Sequence, residues 1–170
     1  MRVFGLAGWS GSGKTTLLTS IVPKLVAHGI TVSTIKHAHH EFDIDRPGKD
    51  SWRHRQAGAT EVMISSSRRW ALMHELRGAP EPTLDRLVAK MSPVDLVLVE
   101  GFKSEPHPKL EVHRPAVGKP LLYPDDPEIV AIASDEPLAT PLPYFSLHDA
   151  DAISAFIMRH LGLRDGPAQR

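Results

Sequence analysis

The chain has 170 residues, with 20 Lys+Arg against 20 Asp+Glu, 10 His and no Cys. That length predicts one domain over residues 1–163 and a frayed tail over 164–170. Zero net charge argues against a general nucleic-acid binder, and the lack of cysteine excludes disulfide frameworks and thiolate metal sites and fits a reducing cytoplasm. No apolar run approaches the ~20 residues of a membrane span.

The chain runs from Met1 straight into a short apolar strand, Val3 to Ala7. Gly8-Trp9-Ser10-Gly11-Ser12-Gly13-Lys14-Thr15 follows and fits G-x-x-x-x-G-K-[ST] at every fixed position. Next come Leu18, Ile21, Val22 and Leu25, spaced as on one helix face. Strand, glycine loop and helix in that order are the context of a nucleoside triphosphate site. Backbone N–H groups of Ser10, Gly11, Ser12 and Gly13 turn inward around phosphate oxygens, and Lys14 adds a full positive charge. The helix directs its positive end at the same anion, and the Thr15 hydroxyl is placed for a Mg²⁺ bridging the outer phosphates.

Gly29 ends the first helix, within which Pro23 removes a donor and predicts a kink. Ile30 to Ile35 reads as a second strand, and the polar stretch from Lys36 to Asp50, with its Pro47-Gly48 turn, as a loop near the nucleotide. Ser51 to Ala59 predicts a short helix, and Glu61 to Ile64 with Trp70 to Met73 a hairpin. Pro82 opens a helix with Leu84, Leu87, Val88 and Met91 on one face. Val94 to Val99 is an apolar strand interrupted by Asp95; Lys109 to His113 and Ile129 to Ala133 are further strands. A last helix from about Asp149 buries Ile153, Phe156, Ile157 and Leu161. The alternation predicts an α/β fold of the P-loop NTPase kind: a mainly parallel twisted sheet with flanking helices and a β-hairpin insertion, its ligand at the carboxyl ends of the strands.

Two further groups bear on chemistry. The strand ending Val99-Glu100-Gly101 places Glu100 where nucleoside triphosphatases keep a Mg²⁺-linked acid, whereas Asp95 lies too far back along the strand and reads as a strand-entry residue. His37, His39 and His40 precede Asp43, Asp45, Lys49, Asp50, Arg53, His54 and Arg55. Imidazole and carboxylate suit zinc or iron, but a mixed basic and acidic array beside a phosphate site better suits polyphosphate, Mg²⁺ and a second polar ligand.

Taken together, Gly8 to Thr16, Lys36-His37-Ala38-His39-His40, Phe42 to Ser51, Arg53 to Ala59 and Val99 to Lys103 resemble the molybdopterin-guanine dinucleotide biosynthesis B proteins, GTP-binding accessories in molybdenum cofactor maturation. The resemblance implies GTP and Mg²⁺ as ligands, a homodimer, and a partnership with the molybdenum cofactor guanylyltransferase and its molybdopterin. It implies that Gly11, Gly13, Lys14, Thr15 and Thr16 hold phosphates and metal, and that Asp50 and Glu100 serve the metal, its waters and any hydrolytic step. Lys36, His37 and the stretch Arg53 to Arg55 would line the facing cleft. Asp135 follows a strand where related GTPases keep a guanine-binding aspartate, although the fuller asparagine-lysine-x-aspartate pattern is absent.

The expected function is an accessory with slow GTP hydrolysis at most, for no water-positioning glutamine stands out and Arg53, Arg55, Arg68 and Arg69 are the candidate arginine fingers. A small-molecule kinase is the rival, with Asp43 or Asp45 deprotonating an acceptor hydroxyl. A scaffold whose nucleotide is structural is the third.

Overall fold

In a computed structural model, which describes residues 1–38 and 42–164, the chain forms two compact units: Met1–His37 together with the chain from Lys90 onward, and Ala38–Ala89. His39 and His40, and the tail beyond Arg164, lie outside the described residues.

The first unit holds β1 (Arg2–Ala7), α1 (Lys14–Ala27), β2 (Val32–Lys36), β5 (Leu96–Glu100), β6 (Lys109–His113), β7 (Ile129–Ser134), β8 (Tyr144–Ser146) and α4 (Ala150–Leu161). The second holds α2 (Asp50–Gln56), the hairpin of β3 (Glu61–Ser65) and β4 (Trp70–His74), and α3 (Leu84–Val88). The six strands of the first unit form one sheet in the order β2-β5-β1-β6-β7-β8, parallel at every pairing.

The two faces of this sheet differ in chemistry. On one face Phe4, Leu6, Leu96, Leu98, Leu110, Val112, Ala131 and Ala133 pack against Leu17, Ile21 and Leu25 of α1 and Ile153, Phe156, Ile157 and Met158 of α4. Alternation along each strand dictates this, because residues two apart share a face. On the other face β6 carries Lys109 (2% exposed), Glu111 (0%) and His113 (8%), a buried polar row. Two of its members are satisfied locally: Lys109 Nζ donates to Asp126 at 3.1 Å, and Glu111 accepts the backbone N–H groups of Leu122 and Tyr123 at 2.7 and 2.9 Å. Burial raises the Glu111 pKa, opposed by those two bonds.

Strand ends are pinned by side chains. Asp95 accepts hydrogen bonds from the Thr31 N–H and hydroxyl at 2.8 and 2.5 Å, and its own N–H donates to the Thr31 hydroxyl at 2.8 Å. It therefore ties the start of β5 to the start of β2, the strand-entry role the sequence indicates. Asp149 caps α4 by accepting from the Ala152 N–H at 2.9 Å.

Several elements differ from the sequence reading. Helix α1 runs unbroken through Pro23. Packing of its apolar face on the sheet outweighs the lost donor. Helix α3 begins after Pro82, takes Thr83 as its N-cap and stops before Met91, and strand β8 at the sheet edge has no counterpart in the reading. In the second unit, Met63 pairs with Leu72 and Ser65 with Trp70 across the hairpin, on the face that also carries Glu61 and His74. Met63 and Trp70 are 61% and 62% exposed there.

Candidate functional site

The phosphate loop is the turn between β1 and α1. Gly8 leaves β1 with φ 145°, and a Cβ there would sit 2.4 Å from the Val112 carbonyl oxygen, so only glycine lets the loop cross β6. Gly13 caps α1, its carbonyl accepting the Leu17 N–H at 2.9 Å. Lys14 folds back, its Nζ donating to the carbonyls of Gly8 and Trp9 at 2.9 and 2.8 Å. Desolvation holds its pKa below the ordinary lysine value; Lys103 and Lys36 add to the lowering and Glu100 opposes it. Ser12 is buried within the loop and its Oγ has no hydrogen-bond partner among the described residues, an unsatisfied donor inside the cradle.

Sheet register brings the acid to this loop. Glu100 stands opposite Leu6 of β1 and Lys36 of β2, so the last residue of β5 is level with the end of the strand that feeds the loop. The Thr15 hydroxyl donates to the two Glu100 carboxylate oxygens at 3.0 and 3.2 Å, and Lys36 Nζ lies 3.9 Å from one of them. A hydroxyl against a carboxylate is an oxygen set of the kind that Mg²⁺ takes. The following Gly101 has φ 106°, and a Cβ there would meet the His37 Cβ at 2.9 Å. His37 in turn donates its N–H to the Glu100 carbonyl at 2.8 Å and sets its ring 5.0 Å from that of Phe102.

The structure thus joins Lys14, Thr15, Lys36, His37 and Glu100 in one place, with Ser10, Gly11 and Ser12 in the loop and Thr16 in the first turn of α1. Asp50 opens α2 and Arg53 stands in its last turn, both in the second unit. That unit engages other expected residues internally. Arg55 donates to both oxygens of Asp43 at 2.8 and 3.0 Å and to Glu75 at 3.0 Å, and its Nε is 3.4 Å from Asp45. Asp45 also accepts from the Ser51 hydroxyl at 2.8 Å. The Arg55 hydrogen bonds hold Asp43 below the usual carboxylate range. The finger candidate Arg55 and the base candidates Asp43 and Asp45 therefore neutralise one another. Among the described residues no three His, Asp or Glu side chains converge as a metal site.

Sequence reasoning gave no role to three basic residues around the loop, although Lys103 closes one of the motifs that carry the resemblance. Lys103 Nζ lies 4.7 Å from the ring centre of Trp9 and Lys119 Nζ 5.7 Å, while the Trp9 indole N–H donates to the Pro120 carbonyl at 2.8 Å. Arg114, directly after β6, is the third: a Cβ on Gly13 would lie 3.5 Å from its Nη2. For Lys103 and Arg114 the available signal was position shortly past a strand, and that acquires meaning only when strand order is known.

The profile of the family described as molybdopterin guanine dinucleotide synthesis protein B (MobB) matches residues 3–135. The chain belongs to this family. It is 40% identical over 167 residues to the molybdopterin-guanine dinucleotide biosynthesis adapter protein of Escherichia coli K12, covering 96% of this chain and 95% of that protein. With the adapter protein of Haemophilus influenzae it shares 43% identity over 158 residues, covering 91% and 86%. The crystal structure of a MobB homolog from Bacillus stearothermophilus superposes with a TM-score of 0.71 at 30% identity, covering 96% of this chain and all of that one. The parallel sheet, phosphate loop and flanking helices are thus the fold of the family, as the sequence implied.

Proposed function

We propose that this protein binds GTP and Mg²⁺ and acts as an adapter in molybdenum cofactor maturation, assisting the guanylyltransferase that joins GMP to molybdopterin. The observation that carries the nucleotide half is the contact of Thr15 with Glu100 at 3.0 Å beneath a glycine loop that ends in Lys14. Family membership across nearly the whole chain carries the cofactor half. In this reading Ser10 to Thr16 and Lys14 hold the phosphates, and Thr15 and Glu100 would hold Mg²⁺ directly or through water. The bound metal would supply charge neutralisation at the outer phosphates. The chain's own part is to present N–H donors, to fix the ion's oxygen ligands and to place Lys36 and His37 at the rim. Base identity rests on the family likeness.

Hydrolysis is slow in this reading, for no water-positioning glutamine stands out in the sequence and one of the finger candidates, Arg55, is occupied by Asp43 and Glu75. The same occupation argues against the kinase reading, which needs Asp43 or Asp45 free to take a proton. The exposed apolar hairpin face, with Met63, Trp70 and Leu72, supports a homodimer, and the cysteine-free composition supports work in the cytoplasm.

The test is a reconstituted guanylyl-transfer assay beside calorimetry with GTP. Lys14→Ala should abolish GTP binding, and Arg53→Ala should leave GTP affinity within about twofold of wild type while lowering the stimulation of transfer. The adapter reading fails if wild-type protein has no effect on transfer and a hydroxyl compound is instead phosphorylated at kinase rates, ~1–100 s⁻¹.

A further inference from the structure

We propose that Arg114 is a phosphate-contacting residue of the nucleotide site, held in place by Asp135, and that Asp135 therefore serves the arginine and not the guanine base. This rests on the triphosphate reading above and adds to it a residue on the β6 side of the loop.

The register of the sheet makes the pair. His113 stands opposite Ser134 in the β6–β7 ladder, so the residues that follow, Arg114 and Asp135, leave the carboxyl edge side by side. Arg114 Nε lies 3.0 Å from Asp135 Oδ2. Its Nη2 is the nitrogen that would come within 3.5 Å of a Gly13 Cβ, at the head of α1. The guanidinium thus has one edge on a carboxylate and the other on the phosphate loop. Its Nε makes no aligned hydrogen bond, so Asp135 acts on it as a counter-ion at ion-pair distance.

The charge balance asks for an anion. Arg114 stands beside Gly13 at the positive end of α1, while Lys14 has Lys36 and Lys103 as like-charged neighbours and Glu100 opposing them, so basic groups outnumber acids around the loop in the absence of a ligand. Asp135 offsets one charge of this set. Stability alone does not account for the arrangement, since Arg114 and Asp135 side chains are 38% and 26% exposed, and pairs that exposed contribute little to folding. A polyphosphate completes the balance, and a planar fork already anchored on one side loses less freedom on binding it than a free lysine would. The base-recognition role open to Asp135 by position would require its carboxylate to face a purine edge, whereas here it faces Arg114.

The test compares GTP, XTP and inorganic tripolyphosphate, each with Mg²⁺, on the full chain by calorimetry. Arg114→Ala should weaken GTP and tripolyphosphate alike by about 10- to 100-fold, and Arg114→Lys should recover part of that loss. Asp135→Asn should weaken both by a smaller common factor and leave the GTP-to-XTP preference unchanged. Unchanged tripolyphosphate affinity in Arg114→Ala, or a shift of preference toward XTP in Asp135→Asn, overturns the inference. Melting curves of the ligand-free variants identify the folded fraction. Wild-type protein that holds neither GTP nor tripolyphosphate removes the triphosphate reading as well. Protein that loses both in Lys14→Ala but keeps both in Arg114→Ala overturns the arginine inference alone.

Discussion

His107 packs on Gly5 so closely that a Cβ there would lie 2.5 Å from its Nε2, and only 6% of its surface is exposed. Burial, reinforced by the charge of Lys109, lowers its pKa from 6.5 to about 4. Between those two values the unfolded chain binds a proton that the folded chain refuses, so the contribution of this histidine is present above pH 6.5 and is lost as the pH falls toward 4. Glu111 has the opposite sign. Its raised pKa makes the folded chain hold a proton that the unfolded one releases, and that contribution is lost as pH rises past the ordinary carboxylate value. The two must be separated by substitution. Urea titrations of wild type and His107→Asn from pH 7 to pH 4.5 should show wild type losing about 2 kcal/mol relative to the variant on acidification. Parallel profiles would mean that the ring accepts its proton in the fold.

At the scale of elements, the second unit is organised around one arginine on α2. Arg55 links the loop residues Asp43 and Asp45 to Glu75 just past β4, and Arg77 donates to the carbonyls of Arg55 and Ala59 at 2.7 and 2.9 Å. Arg55→Leu should therefore raise the rate of limited proteolysis within residues 42–50 several-fold while GTP affinity stays near wild type. Arg55→Lys should not restore protection, because an ammonium cannot present a fork to two carboxylates at once. Equal cleavage rates in all three proteins would contradict this.

What could be read from sequence followed the range of the signal at this same scale. The phosphate loop, the hairpin and the acid at the end of β5 are short contiguous patterns, and each was legible. The Arg55 network was visible only as a mixed charged run, because its partners lie on both sides of it in the chain. Lys109, Glu111 and His113 alternate like a solvated strand face, yet they are buried in mid-sheet, since burial there follows from β6 lying between β1 and β7. The three-residue strand β8 was too short for periodicity to register.

For the molecule as a whole, the hairpin face with Met63, Trp70 and Leu72 is an exposed apolar surface available to a second copy of the chain. Sedimentation velocity at micromolar concentration should give a dimer for wild type and a monomer for Met63→Glu with Leu72→Lys, with GTP affinity retained by the monomer. A wild-type monomer would end the homodimer proposal. The strand order has a further consequence, for the time course of folding. The hairpin closes between near neighbours, whereas Phe4 of β1 must wait for Leu98 of β5, and Gly5 for Lys109 of β6. Contacts so distant along the chain form late, because a long loop must close before any of them is rewarded. During synthesis the phosphate loop thus emerges ahead of β5 and β6 and has no neighbouring strands to hold it until they have followed. The residues that would grip a nucleotide are then translated well before the strands that give them their shape.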